Sequence, residues 1–316
     1  MKNKKLWVLG LISVLCVLIF IFWNILPNTF WYAFPRRALK IWGMAVAALS
    51  IALSTLIFQT LSQNRLLTPG ILGLDALYIL IQTTLVFVVG AESVWISQKE
   101  LNFIVTAVLL VLFTMFVLRG FMSTPKNGMI FLSLAGLIMG TLFQSAATFL
   151  QTIIDPNEFG SIQGKMYASF NNMRIELLSL TTIMVVVLGI YLYRQKHVLD
   201  VMSLGRTYAV NLGIEEAKLR KRWVLIVGML IAVSTALIGP ITFLGLLGIN
   251  LTRQIFKTYR HGILMIGSIL IVLIMLVSSQ WITEHILNFA IPVAVLINGV
   301  GGLYFIVLLL KEKIND

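Results

Sequence analysis

Charge is what this sequence most lacks. Only 11% of its 316 residues are Asp, Glu, Lys or Arg, and 59% are apolar. An ordinary soluble domain carries about 25% charged residues. So few charges cannot cover a soluble surface of this size, and lipid is the solvent that the composition fits. Acid is scarcer still, with 12 carboxylates against 24 Lys and Arg. The resulting net charge of +12 does not mark a nucleic-acid binder. The basic residues sit in short breaks between apolar runs rather than along one stripe. A single cysteine, Cys16, excludes an intrachain disulfide. It follows Leu15, where a lipoprotein signal needs a small residue, so a lipid-facing thiol is expected.

The usual catalytic chemistry is missing too. The nearest approach to a phosphate-binding loop, Gly160 to Met166, has three residues between its glycines instead of four. It also places Met166 where Ser or Thr should hold magnesium. This chain is therefore not expected to hydrolyse ATP. The histidines are His197, His261 and His285, scattered along the chain with no ligand partner at metal spacing. No metal site, cofactor site or catalytic triad is expected.

What the sequence has is long hydrophobic runs. A spanning helix needs about 20 mostly apolar residues. Ten segments qualify: 6–26, 39–61, 71–89, 101–118, 129–151, 175–193, 223–238, 241–256, 263–282 and 291–310. The eighth is short, and Gly239-Pro240 before it fits a tight reversal or a broken helix. The first run is too long for a signal-peptide core, and no small-x-small cleavage site follows it. Continuous apolar runs also exclude the alternating pattern of a membrane β-barrel. The expectation is an all-α, polytopic membrane protein with one domain over 1–316.

Orientation follows the Lys and Arg bias. With the N-terminus inside and ten spans, 18 of the 24 Lys and Arg fall on the cytoplasmic side. Both termini are then cytoplasmic, in a bacterial cytoplasmic membrane. Two longer connections stand out, a basic cytoplasmic one over 194–222 and a polar external one over 152–174. Asp75 is the main ionisable residue within a span, and it lies near a helix start, where the dipole favours a carboxylate. The span centres are otherwise nearly free of charge. That weighs against an ion-coupled secondary transporter of a small organic solute, which is the alternative function.

Several motifs resemble those of the permeases that import siderophores and vitamin B12, the FecCD family of ABC importers. Gln59-Thr-Leu-Ser-Gln-Asn64-Arg65-Leu-Leu-Thr-Pro69-Gly-Ile-Leu-Gly73 resembles the signature after that family's second helix, with Arg65 replacing a proline. Leu204-Gly205, Ala209 and Leu212-Gly213 resemble its cytoplasmic coupling segment. Gly239-Pro240-Ile241, Phe243 and Gly245-Leu246 resemble its GPIxFxGL motif. Pro292, Gly301-Gly302 and Phe305 resemble its C-terminal pattern. There are departures: Ala33 stands for the first arginine of an external R-x-P-R, Ala290 for a carboxylate, and Ile249-Asn250 for Pro-His. Asn64 to Pro69, with Ala168 to Asn172, is similar to a branch handling catechol-type siderophores.

The resemblance implies a type II ABC importer permease, one of two such subunits forming the pore. Two ATP-binding subunits dock inside, and an extracytoplasmic siderophore-binding protein docks outside. It assigns ATPase coupling to Gly205, Ala209, Leu212 and Gly213. Gly205 and Ala209 lie four apart on one face of a short helix over 204–212, and Gly213 stops it. A second, charged helix is expected over 215–222. Docking of the binding protein falls to Arg36 and Arg37, next to Pro35 at a helix entrance, since arginine pairs bidentately with carboxylates. The alternative for these two is anchoring to lipid headgroups. The fifth and tenth helices are expected to line the pore, with Gln144 and Ser145 as neutral polar wall. Membrane lipid is the remaining partner.

Overall fold

The structure is a computed structural model that describes residues 2–25, 27–90, 93, 98–121, 128–171, 173 and 175–315. Leu26, Lys126, Asn172 and Arg174, which enter the sequence reading, lie outside them. Each apolar run is a helix. In chain order the helices are α1 (Lys2–Phe22), α2 (Phe30–Ser62), α3 (Leu74–Val89), α4 (Lys99–Phe121), α5 (Gly128–Ile153), α6 (Pro156–Met166), α7 (Ile175–Arg194), α8 (Lys196–Met202), α9 (Arg206–Asn211), α10 (Glu216–Ile238), α11 (Leu244–Phe256), α12 (His261–His285) and α13 (Val293–Asn315). No strand occurs among the described residues. Helices α6, α8 and α9 lie in the two long connections; the other ten coincide with the expected spans.

Seven of these ten are long and apolar enough to cross a membrane, and α3 and the Val293–Ile306 part of α13 are shorter apolar stretches. The thirteen residues of α11 rise about 20 Å, short of a hydrocarbon core of about 30 Å. The irregular segment 239–243 precedes it. Gly239, Pro240 and Ile241 are buried in protein, which is the condition under which such backbone is tolerated at membrane depth.

Two boundaries differ from expectation. Helix α2 starts at Phe30, so Pro35 lies inside it rather than at its entrance. The added turns carry Trp31 and Tyr32, both exposed, and Phe30 stacked on Phe34, as in an interfacial aromatic belt. The charged stretch 215–222 is not a separate helix but the first turns of α10. It continues into the span because Glu216 and Arg220 are buried against each other rather than solvated.

Lipid tails are as apolar as leucine, so helices in a bilayer associate through close packing and interhelical hydrogen bonds. Both occur here. A Cβ on Gly228 would strike Thr114, one on Gly245 would strike Thr55, and one on Gly248 would strike Val272. Ser50 Oγ donates to the Leu230 carbonyl across the α2–α10 crossing at 2.6 Å. Gln82 donates to Asn102 and Thr106, each at 2.9 Å, joining α3 to α4.

One end of the bundle gathers the start of α1, the ends of α2 and α11, the start of α12 and the 194–222 segment. There Lys5 Nζ donates to the Ile255 carbonyl at 2.7 Å, and Thr60 meets His261 at 2.8 Å. At the opposite end Arg37 caps α1, and Lys40 pairs with Glu284 at 2.6 Å.

Candidate translocation groove and coupling surface

The turn Pro69–Leu72 runs into Gly73, whose φ is 80°. A side chain there would be strained, and its Cβ would sit 3.0 Å from the Gly140 nitrogen on α5. Gly73 thus lets the two backbones touch. Next to it, Asp75 in the first turn of α3 accepts a hydrogen bond from Thr242 Oγ1 at 3.3 Å. Thr242 belongs to the irregular segment before α11. Phe243 N–H there donates to Asn298 Oδ1 of α13 at 3.4 Å.

These elements border a groove of about 450 Å³ lined by Gly73, Asp75, Gln144, Tyr167, Pro240 and Asn298, among others. Gln144 therefore faces it; Ser145 is exposed but does not line it. Tyr167 also borders a second cavity, of about 660 Å³, towards the end that holds Lys40 and Glu284. Its lining includes Gln163, Asn171, Gln280 and Pro292 and, among the described residues, carries no charged side chain. Together the two form a largely neutral, polar and aromatic face in which, among the described lining residues, Asp75 is the one carboxylate.

At the other end, α8 and α9 fill the 194–222 connection. Helix α9 ends in a Schellman motif: Ile214 N–H donates to the Ala209 carbonyl at 3.0 Å, and Gly213 N–H to that of Val210 at 2.9 Å. Gly213 has φ 80°, which glycine adopts at little cost. Gly213 is exposed, but Gly205 and Ala209 do not form an outer face. Ala209 is 0% exposed, and Gly205 lies against the Gln63 side chain. The outward face is large and apolar, with Leu204, Tyr208, Val210 and Leu212 at 53–64% exposure. Arg206 and Arg220 both pair with buried Glu216, at 3.5 and 3.3 Å, tying α9 to α10.

Arg36 and Arg37 separate. Arg36 is exposed and lies 4.1 Å from the Tyr32 ring centroid. The Arg37 guanidinium donates to the carbonyls of Phe20, Ile21 and Trp23 at 3.2, 2.9 and 2.7 Å. It closes the end of α1 as a cation at a helix C-terminus should.

Two clusters escaped the sequence reading. His261 does have a partner, since its N–H and its Nδ1 lie 2.6 and 2.8 Å from Asp200 Oδ1, and its Nε2 meets Thr60. Sixty-one residues separate His261 from Asp200, so no local spacing could reveal the pair. The Glu216–Arg220 pair was visible as an i,i+4 spacing; its burial was not.

The profile of the FecCD transport family matches residues 5–311. The chain belongs to that family. It is 44% identical, over 99% of both chains, to the petrobactin import system permease protein YclO of Bacillus subtilis. It is 30% identical to the petrobactin import system permease protein FatC of Bacillus anthracis, over 88% of this chain and 78% of that one. Among solved structures it resembles an inward-facing metal-chelate type ABC transporter, with a TM-score of 0.86, 23% identity, and coverage of 98% and 100% of the two chains. The FecCD fold and the apolar helices make this a multi-pass membrane protein. Two of the motif segments, 69–73 and 239–243, meet at the groove.

Proposed function

We propose that this chain is the permease subunit of an ATP-driven importer that carries ferric siderophores across the bacterial cytoplasmic membrane, with both termini inside. The full-length identity to a petrobactin import permease carries this reading. Petrobactin is accordingly the first cargo to test. A second permease subunit completes the pore, pressing its own groove against the face lined by Gln144, Tyr167 and Asn298. A bulky chelate must not be held tightly in transit, and a nearly neutral wall suits that.

Two ATPase subunits dock at the basic end. Their contact is the apolar face of Leu204, Tyr208, Val210 and Leu212, held in shape by Gly205 and Ala209 from behind and by the helix stop at Gly213. The siderophore-binding protein docks at the other end, where Arg36 is free to meet a carboxylate and Arg37 serves α1 instead. Ser145 belongs to the α5 surface beside the groove.

The test is uptake of labelled ferric petrobactin, within a panel of ferric chelates, by cells lacking the permease and complemented with this chain. Uptake is expected for one siderophore class and should vanish when the partner ATPase carries a dead active site. Uptake that survives the dead ATPase and collapses with the proton gradient would instead identify an ion-coupled secondary transporter.

A further inference from the structure

Behind the coupling segment lies a cleft of about 740 Å³, between the ends of α2 and α11, the start of α12 and Ser203-Leu204. Its lining carries three permanent cations, Arg65, Arg253 and Lys257, together with His261, and among the described residues no carboxylate. The nearby acid, Asp200, is already engaged by His261. Among the described residues no ion pair or hydrogen bond satisfies the side chains of Arg65, Arg253 or Lys257, and Arg253 Nε is buried without a partner. Helix capping does not explain them. The Ile255 carbonyl is taken by Lys5, and that of Arg253 by the backbone N–H of Lys257. Like charges around one cavity repel, and a buried donor left unpaired costs about 1–3 kcal/mol. An anion removes both penalties.

We propose that this cleft is a socket for a carboxylate side chain of the ATPase subunit, which Arg65, Arg253 and Lys257 receive. It rests on the reading of this chain as an ABC permease. Guanidinium groups hold carboxylates in a two-pronged geometry. The rim decides between a protein and a lipid headgroup. Leu204 belongs both to the cleft wall and to the exposed apolar face of α9, and Tyr259, on the far wall, is 70% exposed. A charged pocket ringed by exposed Leu and Tyr is how a protein interface surrounds its polar anchor with groups that exclude water. Position 65 is where the family signature resembled here has proline, so Arg65 is a feature of this chain's own socket.

The test uses the full-length permease in nanodiscs of neutral phosphatidylcholine, and in parallel discs containing phosphatidylglycerol. Arg65 and Lys257 are exposed, so the double variant Arg65→Glu/Lys257→Glu should fold. Association of the cognate ATPase subunit is measured over a salt series. In neutral discs the double variant is expected to bind on the order of tenfold more weakly than wild type. Wild-type association should weaken as salt rises, and the variant should lose most of that dependence. Wild-type binding by the double variant in neutral discs, with binding lost in Leu212→Asp, would overturn the socket and leave the permease reading standing. A defect confined to phosphatidylglycerol discs would also overturn it, by making a lipid headgroup the occupant. Unchanged binding in both variants would remove the coupling surface as well.

Discussion

Arg36 and Arg37 are neighbours in sequence with different work, because successive residues on a helix point about 100° apart. Arg37 points back to the end of α1 and meets three carbonyls; Arg36 points out over Tyr32. Hydrogen bonds to charged groups contribute about 1.5–3 kcal/mol each at most and do not add fully. Arg37→Ala should therefore cost roughly 2–4 kcal/mol, read as a lower melting temperature in detergent. Arg36→Glu should leave melting unchanged and slow association of the binding protein. Equal melting of the two variants would refute the division. The sequence showed the pair but not this split, since Trp23 and Arg37 are 14 residues apart. Lys40 and Glu284 are a similar case, 244 residues apart, paired at 2.6 Å and mostly buried. Breaking a buried pair from one side costs about 3–5 kcal/mol, whereas replacing both partners is often neutral. Lys40→Met alone should destabilise strongly, and Lys40→Met/Glu284→Leu should recover most of the loss. A double variant as unstable as the single one would show that Gln280, which also donates to Glu284, depends on the carboxylate.

Helix α9 shows what sequence pattern can and cannot deliver for an element. The stop at Gly213 was legible, and the helix with its Schellman end is there, but it spans Arg206–Asn211 and leaves Gly205 outside as its N-cap, with φ 107°. Periodicity says which residues share a face, not whether that face is inside. Burial was decided from elsewhere, by Gln63 at the end of α2 and by Glu216 reaching Arg206. The proposed contact surface is therefore the large residues. Tyr208→Asp or Leu212→Asp should insert and melt like wild type while ATPase stimulation and uptake fall by about tenfold or more, as for loss of an interface anchor. Ala209→Leu should instead overpack the core and cost about 1–3 kcal/mol of stability. Normal coupling in both aspartate variants would move the ATPase contact off this helix.

At the scale of the whole molecule, the ten helices were legible because lipid demands long apolar runs, and each run is one. Even the short α11 carried its signal, Gly239-Pro240. Lys5 by Ile255, and Gln254 bonded to Tyr304, set the start of α1 and the middle of α13 near the same end of α11. A reporter fused after residue 316 should read cytoplasmic and one inserted at 157 external; an external C-terminal reporter would refute the shared side. The groove was not legible, because its lining comes from 70–79, 136–144, 166–167, 240–242 and 294–298, segments that only folding brings together. Gln144, singled out as a polar residue on an apolar helix, lines the groove, and Ser145 beside it does not. Exposure alone does not identify a path: Ile183 on α7 is also exposed, at 64%, and Ile183 belongs to a surface suited to acyl chains. The chemistry of the neighbours separates them. In a Cys16→Ser background, Gln144→Cys and Asn298→Cys should react with a hydrophilic maleimide in the assembled transporter and lose uptake once labelled. Ile183→Cys should stay unlabelled, because a thiol in lipid neither meets the reagent nor ionises readily. If Ile183→Cys reacts as fast as Gln144→Cys, or labelled Gln144→Cys still transports, the face between α5 and α13 is not the route that the cargo takes.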